Sequence, residues 1–324
     1  MRDFFRIIFG GLFAIIAGII ISVALKSFIS DFPQYLTKVS SFISSKVENG
    51  SKSINSIVDN TSISGLKRLI RYSASEEEGL ITSATLSLPN GQSGKISAKA
   101  YVVWNITKNN QVLEYNSDQR LPVASLTKIV TATMARNLIR ENKRINITKE
   151  IMSAYGNTAQ FKVGETFYAG DLLYPLLMVS SNDAGEALSR SYGRKGFIKA
   201  MNDFAQDVGA YRTTFVDPTG LSPENKSTTN DLVAILEWVY KNDPETIAIT
   251  RLKSKNVRAH TWVNPAHFLS WSNYRGGKNG FTDEAGQTGL ALFQMGADKD
   301  IYAVAILGSK ERDADMVKLL GKVK

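Results

Sequence analysis

Hydrophobic and polar positions divide the chain into stretches of different period. Ile7 to Leu25 (IIFGGLFAIIAGIIISVAL) is an uncharged run of nineteen residues. As a helix it would span about 28 Å, close to the hydrocarbon core of a bilayer. Arg2 and Arg6 form a short basic head before it. The run is longer than a usual signal-peptide core, so the pattern favours an uncleaved transmembrane signal anchor over removal after Ser22-Val23-Ala24. The expected location is the cell membrane, single-pass, with the rest of the chain on the extracytoplasmic side. Beyond it, Ile29, Phe32, Leu36, Val39, Ile43, Val47, Ile54 and Ile57 recur mostly at steps of three or four, the period of a helix. Gly50 and many Ser and Asn residues weaken that pattern, so this stretch reads as a marginal helix or tether. The turn Pro89-Asn90-Gly91 closes it. The expected organisation is an anchor at 1–25, a stalk at 26–95 and a compact domain at 96–324.

From residue 96 the pattern alternates between strand and helix signals. Ala98–Trp104 and Gln111–Tyr115 read as a hairpin around Lys108-Asn109-Asn110. Helical stretches follow at Ser125–Ile139, Asp171–Val179, Asp183–Tyr192, Phe197–Val208 and Asp231–Tyr240. Thr288–Met295, placed at the sheet edge, and Ile301–Ser309 read as strands, and a last helix starts near Asp313. Strands flanking a helical middle predict an α+β domain, an antiparallel sheet covered by helices.

Composition narrows the chemistry. There are no cysteines and only two histidines, His260 and His267. A disulfide scaffold, a thiolate zinc site and a cysteine nucleophile are excluded. The formal charge is +9, from 39 basic and 30 acidic residues. Residues 1–75 hold nine basic and four acidic side chains, so +5 of the excess sits beside the apolar run. That location fits an anionic membrane surface better than nucleic acid, for which no motif is present.

Three short motifs carry the candidate chemistry. In Ser125-Leu-Thr-Lys128, hydroxyl and amine share one helical face. A lysine accepts a serine proton only when burial or a second cation keeps it neutral. Ser180-Ser181-Asn182 lies 55 residues on, between two apolar helices, and Lys278-Asn279-Gly280 a further 98 residues on. The order Ser-x-x-Lys, Ser-x-Asn, Lys-x-Gly resembles the penicillin-recognising serine enzymes. With Leu121–Lys128, Gly164-Glu165, Asp171–Ala184 and Phe215–Leu221, residues 96–320 resemble the serine-type D-Ala-D-Ala carboxypeptidases, the low-molecular-mass penicillin-binding proteins (peptidase S11-like).

The resemblance implies a β-lactamase/transpeptidase-like fold with a helical subdomain, no cofactor and no metal. It implies peptidoglycan stem peptides as substrate and β-lactams as covalent inhibitors. Ser125 would form an acyl-enzyme, Lys128 would accept its proton, and Ser180 would pass a proton to the leaving amine. Lys278 would keep Lys128 partly neutral and attract the substrate carboxylate. Asn182 would hold a substrate amide. Asn279, Gly280, Phe281 and Thr282 would lie along an edge strand where substrate adds by backbone pairing, with the amides of Ser125 and Phe281 as oxyanion hole.

Asn279 departs from the family, which has threonine there, and Lys226-Ser227 stands where members often carry histidine. A Ser-His-Asp hydrolase lacks support, because no G-x-S-x-G surrounds Ser125 and both histidines read as structural, near Trp262 and Trp271. Glu224-Asn225 is the only candidate for a class A β-lactamase glutamate, in the wrong context, and Glu165 reads as structural. A D,D-endopeptidase and a catalytically weak, membrane-tethered peptidoglycan-binding protein are the remaining alternatives.

Overall fold

The computed structural model describes residues 95–323. Its centre is one antiparallel sheet of five strands: β1 (Ala100–Asn105), β2 (Asn110–Tyr115), β3 (Tyr274–Thr282), β4 (Gly286–Met295) and β5 (Asp300–Ser309). Their order across the sheet is β2-β1-β5-β4-β3. The last two strands in sequence therefore fill the middle, and β3 forms one edge. The sequence pattern put Thr288–Met295 at the edge; the structure instead places β4 between β5 and β3.

The reason is visible in its side chains. In β4 and β5 both faces are apolar, so both faces must be covered. Phe293, Tyr302, Val304 and Ile306 enter one core with Met316 and Leu319 of the C-terminal helix. Leu290, Leu292, Ala303, Ala305 and Leu307 enter a second core on the opposite face. The alternation has the period of two that a strand imposes.

The second core is built by α1 (Thr127–Leu138), α2 (Ala169–Met178), α3 (Asn182–Tyr192), α4 (Arg194–Asp207), α5 (Thr229–Asn242) and α6 (Pro244–Thr250); α7 (Arg312–Leu320) covers the first. α1 is enclosed on all sides over residues 127–135. Its small polar residues are tolerated because they find backbone acceptors, as Thr131 Oγ1 does at Pro218 O, 2.6 Å away. α3 begins at Ser181, whose hydroxyl accepts from the Ala184 amide at 3.1 Å.

The fold is thus the expected α+β arrangement. The expected single-pass location at the cell membrane is corrected: among the described residues no helix is long and apolar enough to cross a membrane. The longest, α4 and α5, have 14 residues each. At 1.5 Å per residue they reach about 21 Å, short of a hydrocarbon core of about 30 Å. The apolar run 7–25 and most of the expected stalk lie outside the described residues.

Candidate active site

Ser125 sits in a 3-10 turn, Ala124–Leu126, that leads directly into α1. Ala124 adopts a left-handed backbone, φ 49°, a conformation uncommon for a residue with a side chain. Its neighbours hold it there. The Thr127 hydroxyl donates to Ala124 O at 2.8 Å, and Thr288 of β4 donates to Val123 O at 3.0 Å. Two glycines press on the turn. A Cβ on Gly220 would fall 1.8 Å from Ala124 O. A Cβ on Gly280 would fall 2.8 Å from the Ser125 nitrogen and 2.5 Å from Thr288 Oγ1. The third residue of the Lys-x-Gly motif is therefore glycine because the serine backbone occupies the space of a side chain.

Lys128, one turn into the helix, places Nζ 2.9 Å from Ser125 Oγ. It also donates to Thr219 O at 2.7 Å. The side chain is fully buried. Burial first, and the Lys278 cation second, push its pKa well below the ordinary lysine range, against an opposing pull from Asp217. A neutral amine holds one lone pair, and the serine hydroxyl is the proton donor within reach of it.

The Thr219 carbonyl is aimed by a loop that turns on Asp217. One carboxylate oxygen accepts from Thr219 N, Thr219 Oγ1 and Gly220 N at 2.6–2.7 Å, and the other from Ser222 N at 2.9 Å. Buried Asn225 ties this loop to the start of α1: its Oδ1 accepts from Val216 N at 2.8 Å, and its Nδ2 donates to Thr127 Oγ1 at 3.1 Å. Neither role was assigned from sequence. Asp-Pro-Thr-Gly has the composition of a side-chain-capped turn, which is the signal that points to Asp217. Nothing in the residue type of Asn225 announces its partners.

Lys278 is buried on β3. Burial, with Arg312 nearby, lowers its pKa to about 7. Its Nζ donates to the Asn279 carbonyl at 2.8 Å. Ser180 is half-buried in the break between α2 and α3, with a left-handed backbone, φ 60°. Asn182 opens α3 and donates from Nδ2 to Tyr155 O at 2.6 Å.

A cavity of about 450 Å³ brings these elements together. Ser125 and Asn182 form part of its wall, Phe281 and Thr282 of β3 another part, and Tyr155, Gly156 and Thr158 a third. Lys128 lies behind Ser125, and Gly280 packs against the Ser125 amide, whereas Ser180, Lys278 and Asn279 are not on the cavity wall. Tyr155, Gly156 and Thr158 were not singled out from sequence, because they read as an ordinary loop. Such a cavity can hold an extended chain against an edge strand, with the Ser125 hydroxyl in its wall and the buried Lys128 amine behind that hydroxyl.

A family model described as D-alanyl-D-alanine carboxypeptidase (Peptidase S11) matches residues 85–308. The D-alanyl-D-alanine endopeptidase of Haemophilus influenzae is 38% identical over 145 residues, 44% of this chain and 50% of that protein. The D-alanyl-D-alanine carboxypeptidase DacF of Bacillus subtilis is 27% identical over 238 residues, 69% of this chain and 61% of that protein. The chain thus spans about half to two thirds of the length of these relatives. Among solved structures, Penicillin-Binding Protein D2 from Listeria monocytogenes in its cefotaxime-bound form superposes with a TM-score of 0.63 at 26% identity. That match covers 72% of this chain and 98% of that one.

Proposed function

Because the chain belongs to the D-alanyl-D-alanine carboxypeptidase family, Peptidase S11, we propose that it is a serine D-Ala-D-Ala carboxypeptidase that trims peptidoglycan stem peptides. The observation that carries this reading is the fully buried Lys128 amine, 2.9 Å from Ser125 Oγ and beside a second buried cation. A serine hydroxyl needs a base, and this lysine is poised to be one.

In this mechanism Ser125 Oγ attacks the carbonyl between two D-alanines while its proton passes to Lys128 Nζ. Negative charge develops on the carbonyl oxygen and is met by the amides of Ser125 and Phe281. The tetrahedral intermediate collapses, the C–N bond breaks, and the proton reaches the leaving D-alanine amine through Ser180. Water then adds to the ester, and Ser125 leaves with a proton. Asn182 turns its amide from Tyr155 O to a substrate carbonyl. Lys278 supplies positive charge for the terminal carboxylate, and Asn279, Gly280 and Thr282 align the peptide along β3. β-Lactams, one of which is bound to the Listeria protein, would acylate the same serine.

The test uses the full-length chain. A fluorescent penicillin should label it covalently, and Ser125→Ala should abolish the label. Incubation with a D-Ala-D-Ala pentapeptide should release free D-alanine. A wild-type chain that takes no label and releases no D-alanine refutes the proposal. D,D-endopeptidase activity is the second reading, favoured by the Haemophilus relative and by the half-open edge where Phe281 is 62% exposed. Cleavage of a cross-linked dimer faster than D-alanine release would select it.

A further inference from the structure

Glu165, His260 and Trp262 have no part in the mechanism above, yet the fold gathers them. His260 and Trp262 lie on the second strand of a small hairpin, Ser254–Val257 and His260–Val263. Their rings stack, with centroids 5.7 Å apart and planes 17° from parallel. Trp262 is nearly completely buried, and its indole N–H donates to Ala159 O at 3.1 Å. His260 Nε2 lies 3.1 Å from Glu165 Oε1, and Glu165 Oε2 accepts from the Lys162 amide at 2.7 Å. Phe161 packs edge-on against both His260 and Trp262.

Ala159 and Glu165 belong to the segment that supplies one wall of the active-site cavity. Its near end carries Tyr155, Gly156 and Thr158 into the cavity, where Tyr155 O accepts from Asn182. Asn157 locks the two ends together: its side chain accepts from Phe161 N at 3.0 Å and donates to Phe161 O at 3.2 Å. The near end is otherwise exposed, with Tyr155 82% accessible. An exposed stretch with few apolar contacts keeps its place only through its ends. When substrate takes the Asn182 amide, the Tyr155 tie is released, and the exposed stretch is held between buried Ile151 before it and the far end after it.

The geometry points to Trp262 and His260 as positioning residues: from the hairpin they fasten the far end of the 155–165 segment, so that its near end stays in place as the cavity wall against which the peptide substrate binds. Neither touches the reacting atoms. The binding part of this inference rests on the peptidase reading; the clamp itself does not.

Trp262→Phe keeps an aromatic ring, though a smaller one, but removes the donor, leaving the buried Ala159 carbonyl without it. In the full-length chain, deuterium uptake at residues 154–161 should become roughly tenfold faster, with the rest of residues 95–323 unchanged. The half-saturation concentration for penicillin acylation should rise about five- to tenfold while the limiting rate stays within about twofold. His260→Leu should loosen the same segment, and His260→Gln, which keeps a donor for Glu165, should restore wild-type values; this pair serves if Trp262→Phe does not fold. Unchanged uptake in both Trp262→Phe and His260→Leu overturns the clamp. A loosened segment with unchanged half-saturation overturns the positioning role. A wild-type chain that takes no penicillin refutes the peptidase reading instead, and the uptake pattern, which needs no activity, then decides the clamp alone.

Discussion

In the proposed mechanism two buried lysines divide the work of one cation and one base. Lys128 is pushed below the ordinary lysine range by burial and by Lys278, and Lys278 itself is brought to about 7 by burial and Arg312. A free-enzyme profile of kcat/KM reports groups in the unliganded protein. For a peptide with a free carboxyl end it should rise on the acid side as Lys128 loses its proton. It should fall above about pH 7, where Lys278 loses the charge that attracts the carboxylate. Lys278→Gln should be weaker throughout and lack the alkaline fall. A wild-type profile that stays flat from about pH 7 to 9 would contradict this assignment of Lys278.

Elements rather than single residues set the spacing of the site. Gly280 lets β3 run against the turn that carries Ser125, with no room for a Cβ beside the Ser125 nitrogen and Thr288 Oγ1. Gly280→Ala must therefore push strand and turn apart by a good fraction of an ångström. Acylation by penicillin should drop by about 100-fold or more, with the fold retained by circular dichroism. A variant within about threefold of wild type would show that the contact is slack. Most of the long elements were legible in the sequence. β1, β2, β4, β5 and the helices from residue 125 to 240 follow the periods of two and 3.6, with ends shifted by a few residues. β3 was not read from its pattern: Tyr274–Thr282 carries three glycines and little apolar alternation, and only the family resemblance placed residues 278–282 on a strand. The helix read from Ser125 begins instead as a 3-10 turn. What stayed hidden was short or made of main chain. The hairpin at 254–263 alternates in burial, but its two four-residue strands bury only Val257 and Trp262, too few apolar residues for the sequence to display a period. The seven residues of α6 are too few to display a helical period. The motif side chains could be read from their spacing. The carbonyls of Thr219 and Tyr155 could not, because a carbonyl has no residue-type signature.

Among the described residues of the whole molecule, one buried acid, Asp183, stands without a hydrogen-bond partner. Both carboxylate oxygens of Asp183, in the first turn of α3, are buried without a hydrogen-bond partner. Burial raises its pKa from 3.8 to about 6. The folded state then holds this proton longer than the unfolded chain does. The stability it contributes is present below pH about 4 and is lost as pH rises towards about 6. Asp183→Asn should be nearly neutral at pH about 4 and should stabilise by about 1–3 kcal/mol at pH about 8, read from denaturant midpoints. Equal effects at both pH values would show that Asp183 is hydrated or paired in solution.

The turn that carries Ser125 is gripped between two bare stretches of main chain, at Gly220 and at Gly280. Grafting the serine and the lysine onto another helix would transplant the reagents without their mould. A designed hydrolase that borrows this pair has to import both flanking walls with it, and treat the four pieces as a single part.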